Sequence, residues 1–135
     1  DLASPSAIAA LIRGSVEENF GMGVACRVNP SLSIKYVGPQ TRIVMLRCAR
    51  DSAPAVWSSL FFLTAFPAAG GARFDGVWRV VGLSGTIRKC RERAIQVHRR
   101  AIASVLEHPG LTEAQRVAIR AALAPAEDRI KALEA

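Results

Sequence analysis

A short turn of small residues, Ser84-Gly85-Thr86, carries the strongest chemical signal in this chain of 135 residues. It follows an apolar run at residues 77–83 and precedes a long amphipathic pattern that is typical of a helix. Backbone N–H groups at a helix start have no partner within the helix, and the helix dipole adds partial positive charge there. With Arg88 at the start of the helix, this arrangement predicts a site for a phosphate group.

The helix predicted after this turn is strongly basic. As far as residue 100 it has one acid, Glu92, and its cations are Arg88, Lys89, Arg91, Arg93, Arg99 and Arg100. Its apolar stripe is predicted at Ile87, Cys90, Ala94, Val97, Ala101 and Val105. A polyanion lying along this helix would contact several cations. The alternative is that Thr86 is an ordinary helix N-cap and that the basic face is only solvated.

No residues are arranged in a recognisable catalytic pattern. No pair of carboxylates falls at a predicted strand end, where a two-metal nuclease would need one. His98 has no acid partner nearby in the sequence, and His108 precedes a Pro-Gly pair that ends the helix. Neither a P-loop nor a nucleophile-elbow motif occurs. We therefore expect no active site and no bound cofactor in this chain.

The three cysteines, Cys26, Cys48 and Cys90, are far apart and odd in number. There is no C-x-x-C pair, so neither a zinc site nor a disulfide framework is expected. We expect buried free thiols, which are typical of a reducing compartment.

Positive charge is concentrated in two separate segments. The net charge is +7, with +5 in residues 21–50 and +5 in residues 77–108. This distribution indicates a phosphate-rich partner. A membrane partner is not expected, because no apolar run has spanning length and no basic helix face adjoins exposed aromatic side chains. No signal peptide is visible, and the lack of an initiator Met suggests a trimmed or processed chain.

Hydrophobic periodicity and turn residues predict the elements that position the turn and the basic helix. Ser4-Pro5 begins a helix of about residues 5–19, which ends at a glycine-rich exit. A strand at residues 32–37, a hairpin-like turn at residues 38–41 and a second strand at residues 42–48 follow. After them we predict a helix at residues 53–65, a small-residue loop at residues 68–76 and a third strand at residues 77–83. The basic helix spans about residues 86–107, and a helical region split by Pro125 spans residues 111–135.

Helices packed on one small antiparallel sheet make an α+β fold close to ferredoxin-like or RRM-like architecture. We predict an RRM-like domain at residues 1–108 and a helical extension at residues 109–135. Only Tyr36 and Trp78 are aromatic in the strands, and neither fits the base-stacking pattern of RRM proteins. RNA contact is therefore expected from loops, helix ends and arginines, with recognition of shape more than sequence. Phe62, off the apolar stripe of its helix, is the candidate protein contact.

Three sequence blocks resemble the Pop-five family, a small α/β protein subunit of ribonuclease P and ribonuclease MRP. They are SGTIRKCRERAIQVHRR at residues 84–100, IKYVGPQTRIVMLRCARD at residues 34–51 and VWSSLFFLT at residues 56–64. The blocks occur in family order at family-like spacing, and the resemblance covers roughly residues 5–107. The candidate RNA-binding residues in these motifs are Arg47, Ser84, Gly85, Thr86, Arg88, Lys89, Arg99 and Arg100.

The resemblance implies a noncatalytic subunit that supports the RNA of these ribonucleoproteins in tRNA and ribosomal RNA processing. In that family the RNA component performs the Mg²⁺-dependent cleavage that removes 5′ leaders from precursor tRNA. The implied partners are the ribonuclease P/MRP RNA, a TIM-barrel-like protein subunit, other protein subunits, and precursor tRNA through the assembled complex. The implied location is the nucleus and nucleolus.

The sequence also departs from the family pattern, and other functions stay open. Arg42 stands where relatives often have glycine, and the strand that normally precedes the first helix is missing. We therefore expect an open sheet edge or a removed strand. One alternative is an unrelated ferredoxin-like protein that binds RNA or DNA, and a lone monomer binding any nucleic acid equally would favour it. Another alternative is a regulatory module that binds a small metabolite.

Overall fold

The protein has a mixed α+β architecture in a computed structural model that describes residues 4–134, with the backbone alone for Ala69. In chain order the elements are α1 Pro5–Phe20, α2 Met22–Val28, β1 Ser33–Gly38, β2 Ile43–Arg47, α3 Ala53–Phe61, β3 Ala65–Pro67, β4 Arg73–Asp75, α4 Ile87–Leu106 and α5 Glu113–Lys131. A one-turn 3₁₀ helix at Arg50–Ser52 precedes α3, and a turn at Ala69–Gly71, in which both glycines have positive φ, precedes β4. Residues 1–3 and 135 of the predicted domains lie outside the described residues. The predicted α+β class is confirmed.

The strands form two separate hairpins in place of the single sheet that the sequence predicted. Over the described residues, β1 pairs with β2 and β3 pairs with β4, both antiparallel. The chain forms two compact units with the boundary between Val80 and Val81. The first unit contains α1–α3 and both hairpins, and the second contains α4 and α5. No described helix is both long and apolar enough to cross a membrane.

The start of α1 agrees with the sequence, whereas α2 was not predicted. The Ser4 hydroxyl accepts a hydrogen bond from the Ala7 N–H at 3.3 Å, and a proline at the first helical position has no N–H to satisfy. Gly21, with a φ of 84°, ends α1 and starts α2. The predicted end of the first helix at this glycine-rich segment is confirmed, and a further helix follows it because Ala25 and Val28 bury one face of α2 in the core.

β1 and β2 form the predicted hairpin around a turn at residues 38–42. Tyr36 pairs with Met45 across the ladder, and both side chains are buried. The Arg42 N–H donates to the Gly38 carbonyl at 2.7 Å, and Arg42 adopts a φ of 55°. A residue with a Cβ pays about 1–2 kcal/mol in this left-handed conformation. Glycine would suit the position better, which agrees with the glycine that the family resemblance implies there, and the backbone conformation gives no reason for the arginine.

The core of the first unit lies where α1, α2 and α3 meet the β1–β2 hairpin. Its buried side chains form one cluster of Ile8, Ile12, Val16, Ala25, Val28, Leu32, Val56 and Leu60. The α1 members recur at helical spacing, as the sequence predicted. The Ser15 hydroxyl donates to the Ser59 carbonyl at 2.8 Å and joins α1 to α3 in the interior.

The chain between α3 and α4 differs most from the sequence prediction. α3 ends at Phe61 and not at residue 65, and the β3–β4 hairpin occupies the predicted small-residue loop. Residues 77–83, predicted as a strand, pair with no strand among the described residues. Trp78 and Val80 still pack against the core while Val77 is exposed. The predicted third strand is therefore not formed here, although alternate side chains are buried, because an apolar run reports burial and not hydrogen bonding.

In the second unit, α4 and α5 form an antiparallel helical pair. Thr112 begins α5 with a capping box: its hydroxyl accepts from the Gln115 N–H at 3.3 Å, and its own N–H donates to the Gln115 side-chain oxygen at 2.9 Å. Pro125 lies inside α5 without splitting it, contrary to the prediction. Ala126, directly after the proline, and Ile130, about one turn further, are buried. Their packing holds the last turns helical although the proline lacks an N–H.

Candidate nucleic-acid interface

In the turn before α4, the side chains of Ser84 and Thr86 form hydrogen bonds with the backbone of the same turn. Thr86 is the N-cap, and its Oγ1 accepts from the Lys89 N–H at 3.4 Å. The Thr86 N–H donates to Ser84 Oγ at 3.3 Å, and the Ser84 hydroxyl donates to the Thr86 carbonyl at 3.2 Å. The predicted Thr86 cap is confirmed. Because the N–H groups of Thr86 and Lys89 are satisfied within the turn, a phosphate there would need other donors.

Gly85 is the exposed residue at the tip of this turn. A Cβ built on it would meet no atom within 4 Å, so the space beside its backbone is open. A ligand could approach this backbone closely, since no side chain obstructs it. The anion site that the sequence predicts here stays a prediction.

Arg88 is paired with an acid on its own helix. Its Nε lies 3.2 Å from Glu92 Oε1, and the two side chains are 81% and 58% exposed. Exposed pairs of this kind contribute little to stability. Arg88 would exchange one anion for another on binding a phosphate, at little cost to the fold.

Arg99, by contrast, is held by α5. Its guanidinium donates to both carboxylate oxygens of Glu127, with Nε 3.2 Å from Oε2, and Lys131 Nζ lies 3.0 Å from Oε1. Hydrogen bonds from Arg99 and Lys131 lower the pKa of Glu127 to about 2. The hydrogen bond with Glu127 in turn raises the pKa of Arg99. Glu127 is therefore ionised at neutral pH and compensates much of the charge of Arg99.

Lys89 and Arg100 are exposed, and the side chain of neither makes a hydrogen bond or ion pair within residues 4–134. Arg93 shares both properties, although it was not selected as a site residue from the sequence. The signal that could have selected it is spacing, because residues four apart on a helix are surface neighbours. Lys89 and Arg93 have that spacing.

Two further candidates lie in the first unit, whereas the others lie on α4 or the turn before it. Arg47 ends β2 opposite Ser33 and is exposed. Phe62 directly follows α3 and is 59% exposed. Its ring meets the Phe20 ring edge-on, with the centroids 6.3 Å apart. Phe62 is thus an accessible aromatic side chain, as a protein contact requires.

The cysteine thiols and histidines do not form a second site. Cys48 and Cys90 are half-buried, and burial raises the pKa of both thiols, with the Asp51 charge adding to the rise at Cys48. Cys26 is exposed, because α2 buries the neighbouring Ala25 instead, and this corrects the expectation of three buried thiols. Within residues 4–134 there is no group of three or more His, Cys, Asp or Glu side chains that could hold a metal ion.

Comparison with known proteins connects this geometry to one family. A sequence profile described as the Rpp14/Pop5 family matches residues 1–95. A protein of Mus musculus named ribonuclease P/MRP protein subunit POP5 is 30% identical over 98 residues, which cover 73% of this chain and 57% of that protein. The Homo sapiens protein of the same name is 29% identical over 101 residues, covering 75% and 61%. The Schizosaccharomyces pombe protein of that name is 31% identical over 100 residues, covering 74% and 68%.

The extent of these matches divides the candidate site. The chain spans 57% to 61% of the length of the two mammalian relatives. The profile match ends at residue 95 inside α4, so Arg99, Arg100 and α5 lie beyond it. The profile match includes β1, β2, α3 and the capped turn before α4. It therefore contains in full two of the three blocks that carry the resemblance, and the block at residues 84–100 as far as residue 95. With most of its length matched, the chain belongs to the Rpp14/Pop5 family.

Proposed function

We propose that this chain is a noncatalytic protein subunit of ribonuclease P and of ribonuclease MRP, the ribonucleoproteins that its relatives are named after. The observation that carries the proposal is the family match over residues 1–95, which contains the Thr86 cap and the first cations of α4. Membership in the family removes the alternative of an unrelated nucleic-acid-binding protein. In this role the chain contributes to the processing of tRNA and ribosomal RNA.

The chain would act by contacting the RNA backbone. Lys89 and Arg100 are exposed on α4, and charged side chains of both types bind phosphates through charge-assisted hydrogen bonds. Tyr36 is buried in β1 and Trp78 packs against the core, so neither offers an open face for base stacking. This favours recognition of RNA shape over sequence. In the proposed complex the RNA component performs the cleavage with Mg²⁺, and this chain binds no cofactor.

The proposed partners are the ribonuclease P/MRP RNA, a TIM-barrel-like protein subunit, other subunits, and precursor tRNA reached through the assembled complex. The exposed edge-on pair of Phe62 and Phe20 is the proposed protein contact. A ferredoxin-like or RRM-like arrangement is proposed for the fold, in which residues 77–83 would take the place of a strand. The proposed location is the nucleus and nucleolus.

The test is affinity purification of the tagged full chain from native extract, followed by an assay of 5′-leader removal from precursor tRNA with Mg²⁺. We expect a structured RNA and the cleavage activity to copurify, and the activity to be lost when the copurified RNA is digested. The same tag on an unrelated basic protein is the control. Failure of the activity to copurify would contradict the subunit role. Leader removal by the pure chain, abolished by substitution of a carboxylate, would contradict the noncatalytic role.

A further inference from the structure

The cations of α4 divide into two groups according to their partners. Three have side chains that bind other groups of the protein, and we call these cations engaged. One of them is Arg91, which donates from Nη1 to the Lys131 and Leu133 carbonyls, at 2.8 Å each, at the C-terminal end of α5. The other two engaged cations are Arg88, paired with Glu92, and Arg99, paired with Glu127. The side chains of the remaining three make no hydrogen bond or ion pair with any residue from 4 to 134; they are Lys89, Arg93 and Arg100.

The unengaged cations share one side of the helix. With 3.6 residues per turn, Lys89, Arg93 and Arg100 fall within about 40° of one another around the axis. Gln96, which is also exposed, lies in the same sector. We call these four residues the α4 cation row. At a rise of about 1.5 Å per residue, its ends are roughly 16 Å apart along the axis.

The engaged cations and the buried residues occupy other sides of α4. Arg88 and Arg99 lie about 100° from the centre of the α4 cation row, and Ala94 and His98, both buried, lie on the far side. The row therefore points to solvent along its whole length while the opposite side of the helix is packed. The engaged and the unengaged cations thus lie on different sides of α4. Neither the residue types nor the net charge of the helix indicates which cations belong to which group.

Arg93 is further positioned by the chain that precedes the helix. A Cβ built on Gly82 would lie 2.9 Å from Arg93 Cγ and 3.1 Å from its Nε. The stem of the arginine thus lies directly over the Gly82 backbone, where only glycine leaves enough room. This contact restricts the rotamers of Arg93 and reduces the entropy that its guanidinium would lose on binding an anion.

We propose that the α4 cation row is a contact surface for the sugar–phosphate backbone of structured RNA, with Arg93 as a binding residue alongside Lys89 and Arg100. The inference rests on the proposed function and names the part of the chain that would perform it. Cations in a straight exposed row meet phosphates along a strand without reading bases, while the Gln96 amide can donate to phosphate or sugar oxygens. The sector of the row holds no large apolar side chain, whereas a helix lying on an anionic membrane would require several there.

Two double variants of the full chain test the α4 cation row with matched loss of charge. Arg93→Gln with Arg100→Gln removes two unengaged cations, and Arg73→Gln with Arg120→Gln removes two exposed cations that lie outside α4 and outside the candidate site. The measurement is binding of a short RNA duplex as a function of salt, with circular dichroism as a check of folding. Each lost phosphate contact lowers the salt slope by about 0.7–0.9. We expect a drop of about 1.4–1.8 for the first pair and little change for the second.

Equal drops for the two pairs would show that net charge alone matters and would overturn the inference. Absence of duplex binding by the unmodified chain would also overturn it, as would stronger binding to vesicles of mixed phosphatidylserine and phosphatidylcholine than to RNA. The proposed function is judged separately, by copurified cleavage activity. A chain that brings down that activity but shows equal drops for both pairs keeps its function and loses this surface.

Discussion

The guanidinium of Arg99 on α4 donates to both carboxylate oxygens of Glu127 on α5, so an arginine of the family-like motif is bound by a helix that lies outside the family match. Lys131 approaches the same carboxylate at 3.0 Å. Glu127 therefore stands between two cations and neutralises part of the basic surface. The helix α5 both packs on α4 and, through Glu127, reduces the positive charge that α4 presents to an anionic partner.

Replacing Glu127 by glutamine should release Arg99 for an anionic partner. We expect Glu127→Gln to bind a short RNA duplex more tightly, with a salt slope larger by up to about 0.9 if Arg99 then contacts one phosphate. Glu134→Gln is the matched control, because it removes the same charge from the same end of the chain at an exposed residue. An identical gain from both variants would mean that overall charge, and not release of Arg99, causes the effect.

The pH dependence of stability should reveal the same ion pair. The pKa of Glu127 is about 2 in the folded chain, against an ordinary value of 4.5. Because the folded pKa is the lower one, the stabilisation is fully present above pH 4.5 and is lost as the pH falls towards 2. Thermal unfolding across this window should show a steeper loss of stability for the unmodified chain than for Glu127→Gln. Parallel curves for the two proteins would contradict the lowered pKa.

Local signals predicted the helix starts, because a cap depends on residues within a single turn. Ser4 and Thr86 cap α1 and α4 as their sequence contexts indicated. Long-range relationships were not accessible in this way. Glu127 lies 28 residues after Arg99, and only the antiparallel packing of two helices brings them together.

The errors in the fold have a similar physical origin. Gly21 ends α1 as predicted, but α2 was missed, because a glycine with a positive φ can also join two helices, as it does here. Pro125 was interpreted as a break, but burial of Ala126 and Ile130 overrides it. Val105, assigned to the apolar stripe of α4, is half-exposed near the helix end. In each case tertiary packing decided what local preference left open.

The turn before α4 provides a clean test of the predicted anion site. A Cβ built at Gly85 would meet no atom of the protein within 4 Å, so Gly85→Val should fold normally while obstructing a phosphate. We expect it to impair reconstitution with RNA and partner subunits more than Thr86→Ser, which keeps the capping hydroxyl. Thr86→Ala should mainly cost about 1 kcal/mol of helix capping. Normal assembly of a folded Gly85→Val chain would show that the turn is only a structural cap.

Phe62 is expected to contribute to a protein contact and only slightly to folding. It is 59% exposed, and its ring contact with Phe20 is of a type worth about 0.5–1.5 kcal/mol. Phe62→Ser should therefore remain folded and recover fewer protein subunits in the pull-down. Val117→Ser, at a residue of similar exposure on α5, is the control. Unchanged subunit recovery with Phe62→Ser would remove this residue from the interface.

Gly82 should influence RNA binding although it carries no side chain. An alanine Cβ at 2.9 Å from Arg93 Cγ must displace the stem of the arginine, since the contact falls on the middle of that side chain. We expect Gly82→Ala to lower the salt slope for a short RNA duplex by up to about 0.9 with the net charge unchanged. Gly23→Ala is the control, because a Cβ there meets no atom within 4 Å.

A double-mutant cycle separates this effect of Gly82 from a general disturbance of the turn. If the glycine acts by positioning Arg93, then Gly82→Ala should have no further effect on binding in a chain that already carries Arg93→Gln. Additive losses would instead mean that the alanine disturbs the backbone before α4 independently of Arg93. The cycle thus tests whether the close contact between Gly82 and the Arg93 side chain positions the Arg93 guanidinium for binding RNA.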